Sequence, residues 1–344
     1  MNVLICGLGS IGQRHVRILQ KVLGNEAQIG AVRLRKRAIV INDDMTATDG
    51  IDPIEHYRLI EYLSYDEAFE AGQQVVFVTN PISMHVETAL RAAKNGCHIF
   101  IEKPLSHDLQ GVDALRDEVE RRHLVAAVGY QLRFHPMLER VESLVRNGAI
   151  GDIISADIQF GEWLPDMHPY EDYRESHAAR ADQGGGVILA LSHEIDLVAW
   201  LFGIPAAVAA TGGHLSDLEM NGVEDTADLL LTYDMGGRTV PVHIHLDFVQ
   251  RPPRRRGFIL GSRGSIEWDY FSSELNVTTQ QDGAQLVRFS EFRRNIMFER
   301  QTADFFEAIR TRSDARVPLS AGIQTLMICH AARRAMQQGT IERP

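Results

Sequence analysis

The sequence predicts an α/β protein of two domains, the first a parallel β-sheet with helices on both faces. Strand-like and helix-like segments alternate over the first third of the chain, which is the pattern of such a sheet. The 344 residues exceed what one hydrophobic core ordinarily holds. A glycine turn joins the first strand to the first helix.

That first strand is the apolar run NVLIC (2–6), ending in GLGSIGQRH. Gly7, Gly9 and Gly12 have G-x-G-x-x-G spacing, with Ser10 and Ile11 between the last two. Val16, Leu19, Val22 and Leu23 then recur at helical spacing. In a strand–turn–helix, the first glycine permits the tight turn and the second lets a pyrophosphate approach the backbone. The third lets the helix pack close to the sheet. The free N–H groups at the helix start face the phosphates. The residues therefore predict a dinucleotide site.

The next strand is QIGAVRLR. Sites that prefer NAD carry a carboxylate near the end of this strand, for the ribose hydroxyls. Here Arg33 stands near that place, followed by Arg35, Lys36 and Arg37, and cations favour the extra phosphate of NADP. The expectation is NADP over NAD, with a solvated basic edge as the alternative reading of these cations. Then come the strand QVVFVTNP (74–81), the helix ISMHVETALRAAKNG, the strand HIFIEKPLS (98–106), the helix DALRDEVERRHL and the strand VAAVGY. Ligands of such sheets bind beyond the carboxyl ends of the strands. Thr79, Asn80, Pro81 and Lys103 fall at those ends, with His85 and Glu102 beside them.

In the rest of the chain, GGGVILALSHEIDL (184–197) reads as a buried helix interrupted by His193, Glu194 and Asp196. The segment 158–183 is long and polar, and either its Trp163, His168, Tyr170, Asp172, Tyr173 and Arg174 offer the stacking faces and hydrogen bonds of a sugar site, or it covers a sheet edge or a subunit contact. Arg133, in YQLRFHP, is a similar candidate. Segments 226–234 and 239–248 read as strands. One face of the second carries His243, His245 and Asp247, which is more often a polar sheet face than a metal site, so no metal is expected. Arg251, Arg254, Arg255 and Arg256 cluster in QRPPRRRGF, suiting an anionic substrate, a neighbouring subunit or a solvated hairpin. Segments 299–312 and 320–338 read as amphipathic helices.

Bulk properties narrow the partners. A net charge of −11 argues against nucleic acid and anionic membrane. Cys6, Cys97 and Cys329 are scattered and fit reduced thiols. No signal peptide or membrane span is read, so the expectation is a cytoplasmic protein.

GLGSIGQRH, TNPISMH, EKP and GGG…SHEID, in this order, resemble the Gfo/Idh/MocA family of sugar and polyol oxidoreductases. The resemblance implies an N-terminal Rossmann domain, here 1–128, and a C-terminal α+β domain, here 129–344, built on a large, mostly antiparallel open sheet. The last helix is left free to pack back on the first domain. The resemblance further implies a nicotinamide cofactor over EKP, a small sugar substrate, and a homodimer or homotetramer assembled through the open sheet. YQLRFHP and WLPDMHPYEDYR point within the family to nucleotide-sugar or surface-polysaccharide chemistry. The family's lysine falls on Lys103 and its histidine on His193. These are the expected catalytic pair, with Arg133, Trp163, Tyr173, Asp196 and His193 expected at the substrate. The family's usual aspartate, three or four residues before the histidine, is replaced by Ala190 and Leu189. Lys103 and His193 are expected to suffice. Otherwise Asp166, Asp172, Asp182 or Glu194 substitutes, or the protein is a redox-neutral epimerase or lyase that retains its cofactor, or a non-catalytic sensor.

Overall fold

The computed structural model describes every residue except Asn25, Glu26 and Arg35. In the first third, β1 (Asn2–Cys6), α1 (Ser10–Leu23) and β2 (Gln28–Val32) are followed by a small hairpin, β3 (Ile39–Ile41) and β4 (Ala47–Asp49). Next are α2 (Pro53–Tyr57), β5 (Ile60–Tyr62), α3 (Tyr65–Glu70), β6 (Val75–Val78), α4 (His85–Lys94), β7 (His98–Ile101), α5 (Val112–Arg121) and β8 (Ala126–Val128). Six strands form one parallel sheet in the order β5-β2-β1-β6-β7-β8. The order reverses between β1 and β6, which opens a crevice at their carboxyl ends. The central strands are buried on both faces, as continuous apolar runs require. Phe77 and Phe100 stack with ring centres 4.8 Å apart. The β3–β4 hairpin had no signal in the sequence. It is tied to α1 by Gln13, which donates to the Ile39 carbonyl and accepts from the Ile41 amide.

The chain continues through α6 (Pro136–Arg146), β9 (Ile153–Gly161), α7 (Leu164–Met167), α8 (Val187–Ala190) and α9 (His193–Phe202). The strands β10 (Ala207–Gly213), β11 (Thr226–Asp234), β12 (Thr239–Asp247), β13 (Arg254–Gly261), β14 (Gly264–Asp269), β15 (Glu274–Thr279) and β16 (Gly283–Arg288) complete a sheet of eight. Its order is β10-β11-β12-β9-β13-β14-β15-β16, antiparallel except where β9 lies beside β12. One face buries Leu229, Leu231, Val242, Ile244, Ile158 and Ile259. Each such side chain contributes about 1.5–3 kcal/mol on leaving water. On the other face Leu230, His243, Asp157 and Phe258 form a row across four strands. The H-x-H-x-D face of β12 is a hydrogen-bonded ladder in which His243 bridges Asp157 and Asp228, and His245 bridges Asp228 and Asp247.

Two long helices close the chain, α10 (Arg294–Thr311) and α11 (Leu319–Gln338). The fold resolves into two compact units that interleave along the sequence. One holds Met1–Gln131, Pro169–Glu171 and Asn295–Ile323, and the other holds Leu132–His168, Asp172–Arg294 and Gln324–Pro344. Phe305 of α10 therefore belongs to the first core, edge-on to Phe77 and Phe100. No single helix among the described residues is long and apolar enough to cross a membrane.

Candidate active site

The glycine turn is built as its spacing predicts. Gly7 has φ 107°, in the left-handed region, and a Cβ there would lie 2.9 Å from the backbone of Thr79 and Asn80. A Cβ on Gly12 would lie 2.0 Å from the Gly7 carbonyl oxygen. A Cβ on Gly9 would meet nothing within 4 Å. Two glycines are thus demanded by the protein's own packing, while the middle one faces open space at the N-cap of α1. That arrangement fits a dinucleotide pyrophosphate, which needs close approach to the backbone.

Thr79 and Asn80 serve the turns themselves. The Thr79 hydroxyl donates to the Gly7 carbonyl at 2.8 Å, and the Asn80 amide donates to Thr88 and Tyr65. Pro81 is exposed at the start of the short 3₁₀ turn that leads into α4. His85, expected at the cofactor, is buried. Its ring nitrogens each lie 2.9 Å from a carbonyl oxygen, of Asn80 and of Pro104, so it links the turn after β6 to the turn after β7. Burial pushes its pKa down, against the pull of those two carbonyls.

Lys103 sits half-buried on the turn after β7. Glu102 beside it is buried, and one carboxylate oxygen meets Nε2 of His15 at 2.7 Å while the other accepts from the Lys103 amide at 3.1 Å. His15 lies in α1, packed edge-on to Phe100. A Cβ on Gly129 would lie 2.9 Å from the Glu102 carboxylate. Glu102 is therefore a buried brace of the lysine turn, and His15, which sequence reasoning passed over, is its partner. The histidine of GLGSIGQRH and the glutamate of EKP are 87 residues apart, and only the parallel pairing of β1, β6 and β7 brings them together.

Arg33 stands at the end of β2 as expected, but its guanidinium is committed. It grips Asp52 with two hydrogen bonds of 2.7 and 2.8 Å and meets Glu61 at 3.0 Å, with its side chain 5% exposed. The pairing holds both carboxyls below their usual range. An open cation for an NADP phosphate is expected at this place, whereas three of the five N–H donors of Arg33 serve carboxylates of the fold. Arg35 lies outside the described residues, and Lys36 pairs with Glu61. Arg37 is exposed, and its charge acts on Tyr170. Tyr170 also departs from expectation, since it belongs to the first compact unit and hydrogen-bonds Ser10 of the glycine turn. Burial raises its phenol to about 12.

In the second unit, the stretch read as one helix through His193 is two. The axis bends by 51° between the segment Ala181–Ala190, which ends in α8, and α9, and His193 is the first residue of α9, 6% exposed. Ala190 ends α8. The shared-face argument for an aspartate at that position therefore does not apply here. Arg133 and Asp196, both expected at the substrate, grip each other with bonds of 2.7 and 2.9 Å, and Thr325 donates to the same carboxylate. Burial raises the Asp196 carboxyl against the pull of Arg133. The polar atoms of this pair fasten α9 to the segment before α6.

The acids considered as substitutes are also spoken for. Glu194 takes a two-bond grip from Arg255, Asp172 from Arg174 and Asp182 from Arg180, while Asp166 is exposed. Glu162, which no sequence pattern marked, is half-buried just past β9. Burial raises its carboxyl, opposed by the charges of Arg255, Arg294 and His168. Trp163 and Tyr173 line one open cavity of about 430 Å³, with Arg251 at its edge. The segment holding them is a run of short turns closed by its own hydrogen bonds.

Two family models match the chain in succession: an oxidoreductase family with an NAD-binding Rossmann fold over residues 1–130, and the GFO/IDH/MocA C-terminal domain over 138–267. Myo-inositol 2-dehydrogenase of Thermotoga maritima is 25% identical, across 98% of this chain and 97% of that protein. A solved levoglucosan dehydrogenase in complex with NADH and levoglucosan superposes with a TM-score of 0.80 at 19% identity, covering 100% of this chain and 99% of the other. UDP-N-acetylglucosamine 3-dehydrogenase from Acidithiobacillus ferrooxidans gives 0.77 at 21% identity over 98% of both chains. With the glycine turn, the braced lysine turn and the eight-stranded sheet all present, the chain belongs to the Gfo/Idh/MocA family of oxidoreductases.

Proposed function

We propose that the protein is an NAD(P)-dependent oxidoreductase that moves a hydride between nicotinamide and a secondary alcohol or ketone of a sugar or nucleotide-sugar derivative. The observation that carries this reading is the glycine turn, where Gly9 alone opens to space above a helix N-terminus. Gly7, Gly9, Ser10, Ile11 and Gly12 would hold the pyrophosphate, and the turns after β6 and β7 would border the rest of the cofactor. When bound, the nicotinamide supplies the hydride acceptor or donor. Lys103 donates a hydrogen bond to the substrate oxygen and stabilises charge developing there. His193 takes the hydroxyl proton on oxidation and returns it on reduction, the general acid/base role that an imidazole can fill. The buried His15–Glu102 pair holds the lysine turn in place.

We propose NADP as the preferred form. The support is now Arg37, exposed and acting on the Tyr170 that meets Ser10, while β2 ends on no carboxylate of its own. Trp163 and Tyr173 are the proposed substrate contacts, and the exposed Leu230 and Phe258 on the outer sheet face support a homodimer or homotetramer.

Titration with NADPH and NADH, followed by cofactor fluorescence, tests the reading, and binding of neither overturns it. Lys103→Ala and His193→Ala are each expected to lower turnover about 10²-fold or more with cofactor affinity nearly unchanged. Full turnover in His193→Ala removes its role. Product formation without a change in nicotinamide absorbance moves the protein to redox-neutral chemistry.

A further inference from the structure

The cavity edged by Arg251 is more than a gap between loops. The Arg251 guanidinium lies 3.5 Å from the centre of the Trp163 indole, a flat stack that uses the face of the cation. Stacking by the face leaves the in-plane N–H donors directed outward. Among the described residues no carboxylate pairs with Arg251, although Arg133, Arg174, Arg180 and Arg255 of the same unit are all paired. Leu218, Val249 and Tyr173 supply apolar and aromatic wall to the cavity, and Ser216, which also lines it, spends its hydroxyl on Asp225. The Tyr173 hydroxyl already accepts from the Glu219 amide, which fixes its ring as a wall. Asp217 also lines the cavity, is exposed, and has no ion pair among the described residues.

The cavity is close to the wall beneath α9. Arg255 lies over Phe160 and grips Glu194, the neighbour of His193. Trp163 follows Phe160 by three residues, a reach of at most about 10 Å along the chain. A group seated on Arg251 is thus a substituent's length from that wall. The volume of about 430 Å³ lies within the range of about 300–1,000 Å³ of small-molecule sites.

We infer that this cavity is a subsite for a phosphate-bearing substituent of the substrate, carried away from the reacting carbon. The anion takes the free donors of Arg251, and a flat body attached to it rests between Trp163 and Tyr173. The inference rests on the sugar-oxidoreductase reading and narrows its substrate class to phosphorylated or nucleotide-linked sugars.

The test is calorimetric titration of the enzyme saturated with NADPH, so that the dinucleotide site is filled, using inorganic pyrophosphate and uridine diphosphate as probes. Both are expected to bind. Equal affinities assign the site to phosphate alone, and tighter uridine diphosphate adds the base. Arg251→Ala is expected to weaken both at least tenfold, with Arg251→Gln as the second variant should the first not fold. Arg256→Ala, which removes a nearby cation that hydrogen-bonds Gln159, is expected to leave both unchanged. Failure of either probe to bind wild type, or loss of less than twofold in the Arg251 variants, overturns the inference. Turnover of uncharged sugars is read in the same preparations. If it persists while the probes do not bind, the subsite fails and the oxidoreductase reading stands. If the probes bind and no sugar turns over, the reverse holds.

Discussion

The chain has two glycine runs before a helix, GLGSIG at 7–12 and GGG at 184–186, and they are made for different neighbours. In the first, the central Gly9 faces open space at the start of α1. In the second, the space is full. A Cβ on Gly185 would lie 2.5 Å from the His177 carbonyl oxygen, and one on Gly186, at φ 96°, would lie 2.4 Å from the Glu224 carboxylate. Glu224 accepts from the Ile188 amide and from Arg333, and Arg333 also donates to the Gly185 carbonyl. One run makes room for a ligand, and the other makes room for a buried ion pair contributed by β11's approach and α11. Similar composition thus serves binding in one place and packing in the other, and the surrounding atoms decide which.

Substitutions can break that contrast. The largest expected effect is Glu224→Ala, which leaves Arg333 mostly buried without its counter-charge and costs about 3 kcal/mol. Denaturant melts check it, and a loss near zero means the second run packs against something else. Gly186→Ala comes next, at about 2–3 kcal/mol, from backbone strain and the collision with Glu224. Gly9→Ala is expected to change stability by less than about 0.5 kcal/mol while weakening cofactor binding about tenfold. The reverse pattern, a destabilised fold with intact binding, removes the distinction between the runs.

The smallest effect serves as a baseline away from both. On the sheet ladder, hydrogen bonding to Asp247 and then Asp228 raises His245 to about 9, above its ordinary value near 6.5. A raised imidazole contributes stability that is complete below about pH 6.5 and is lost as pH rises through about 9. Asp228 is depressed by those histidines, so its share is present above its ordinary value near 3.8 and fades below it. Melting temperature is expected to fall gently from pH 6.5 to 9 in wild type and to stay flat there in His245→Gln. An equal fall in both places the titration elsewhere.

Much of the first unit was legible because its chemistry is local. Spacing alone announces Gly7, Gly9 and Gly12, and the strand ends announce Thr79 and Lys103. Where a long-range partner takes part in a residue's work, the sequence does not name it. Arg33 reads as an open cation until Asp52 and Glu61 close on it. Arg133 and Asp196 read as two sugar contacts until they prove to be each other's partners, 63 residues apart. His85 reads as a cofactor contact and is a buried clamp.

The sequence by itself determined the alternation of strands and helices, the glycine turn and the order of motifs, because these depend on backbone geometry and hydrophobic period within a few residues. Tertiary structure alone decided the break between α8 and α9, the His15–Glu102 brace, the arrival of Tyr170 at Ser10, and the stacking of Arg251 on Trp163. Each of these depends on which charges and rings the folded chain brings within about 3–4 Å, the range over which hydrogen bonds and packing act.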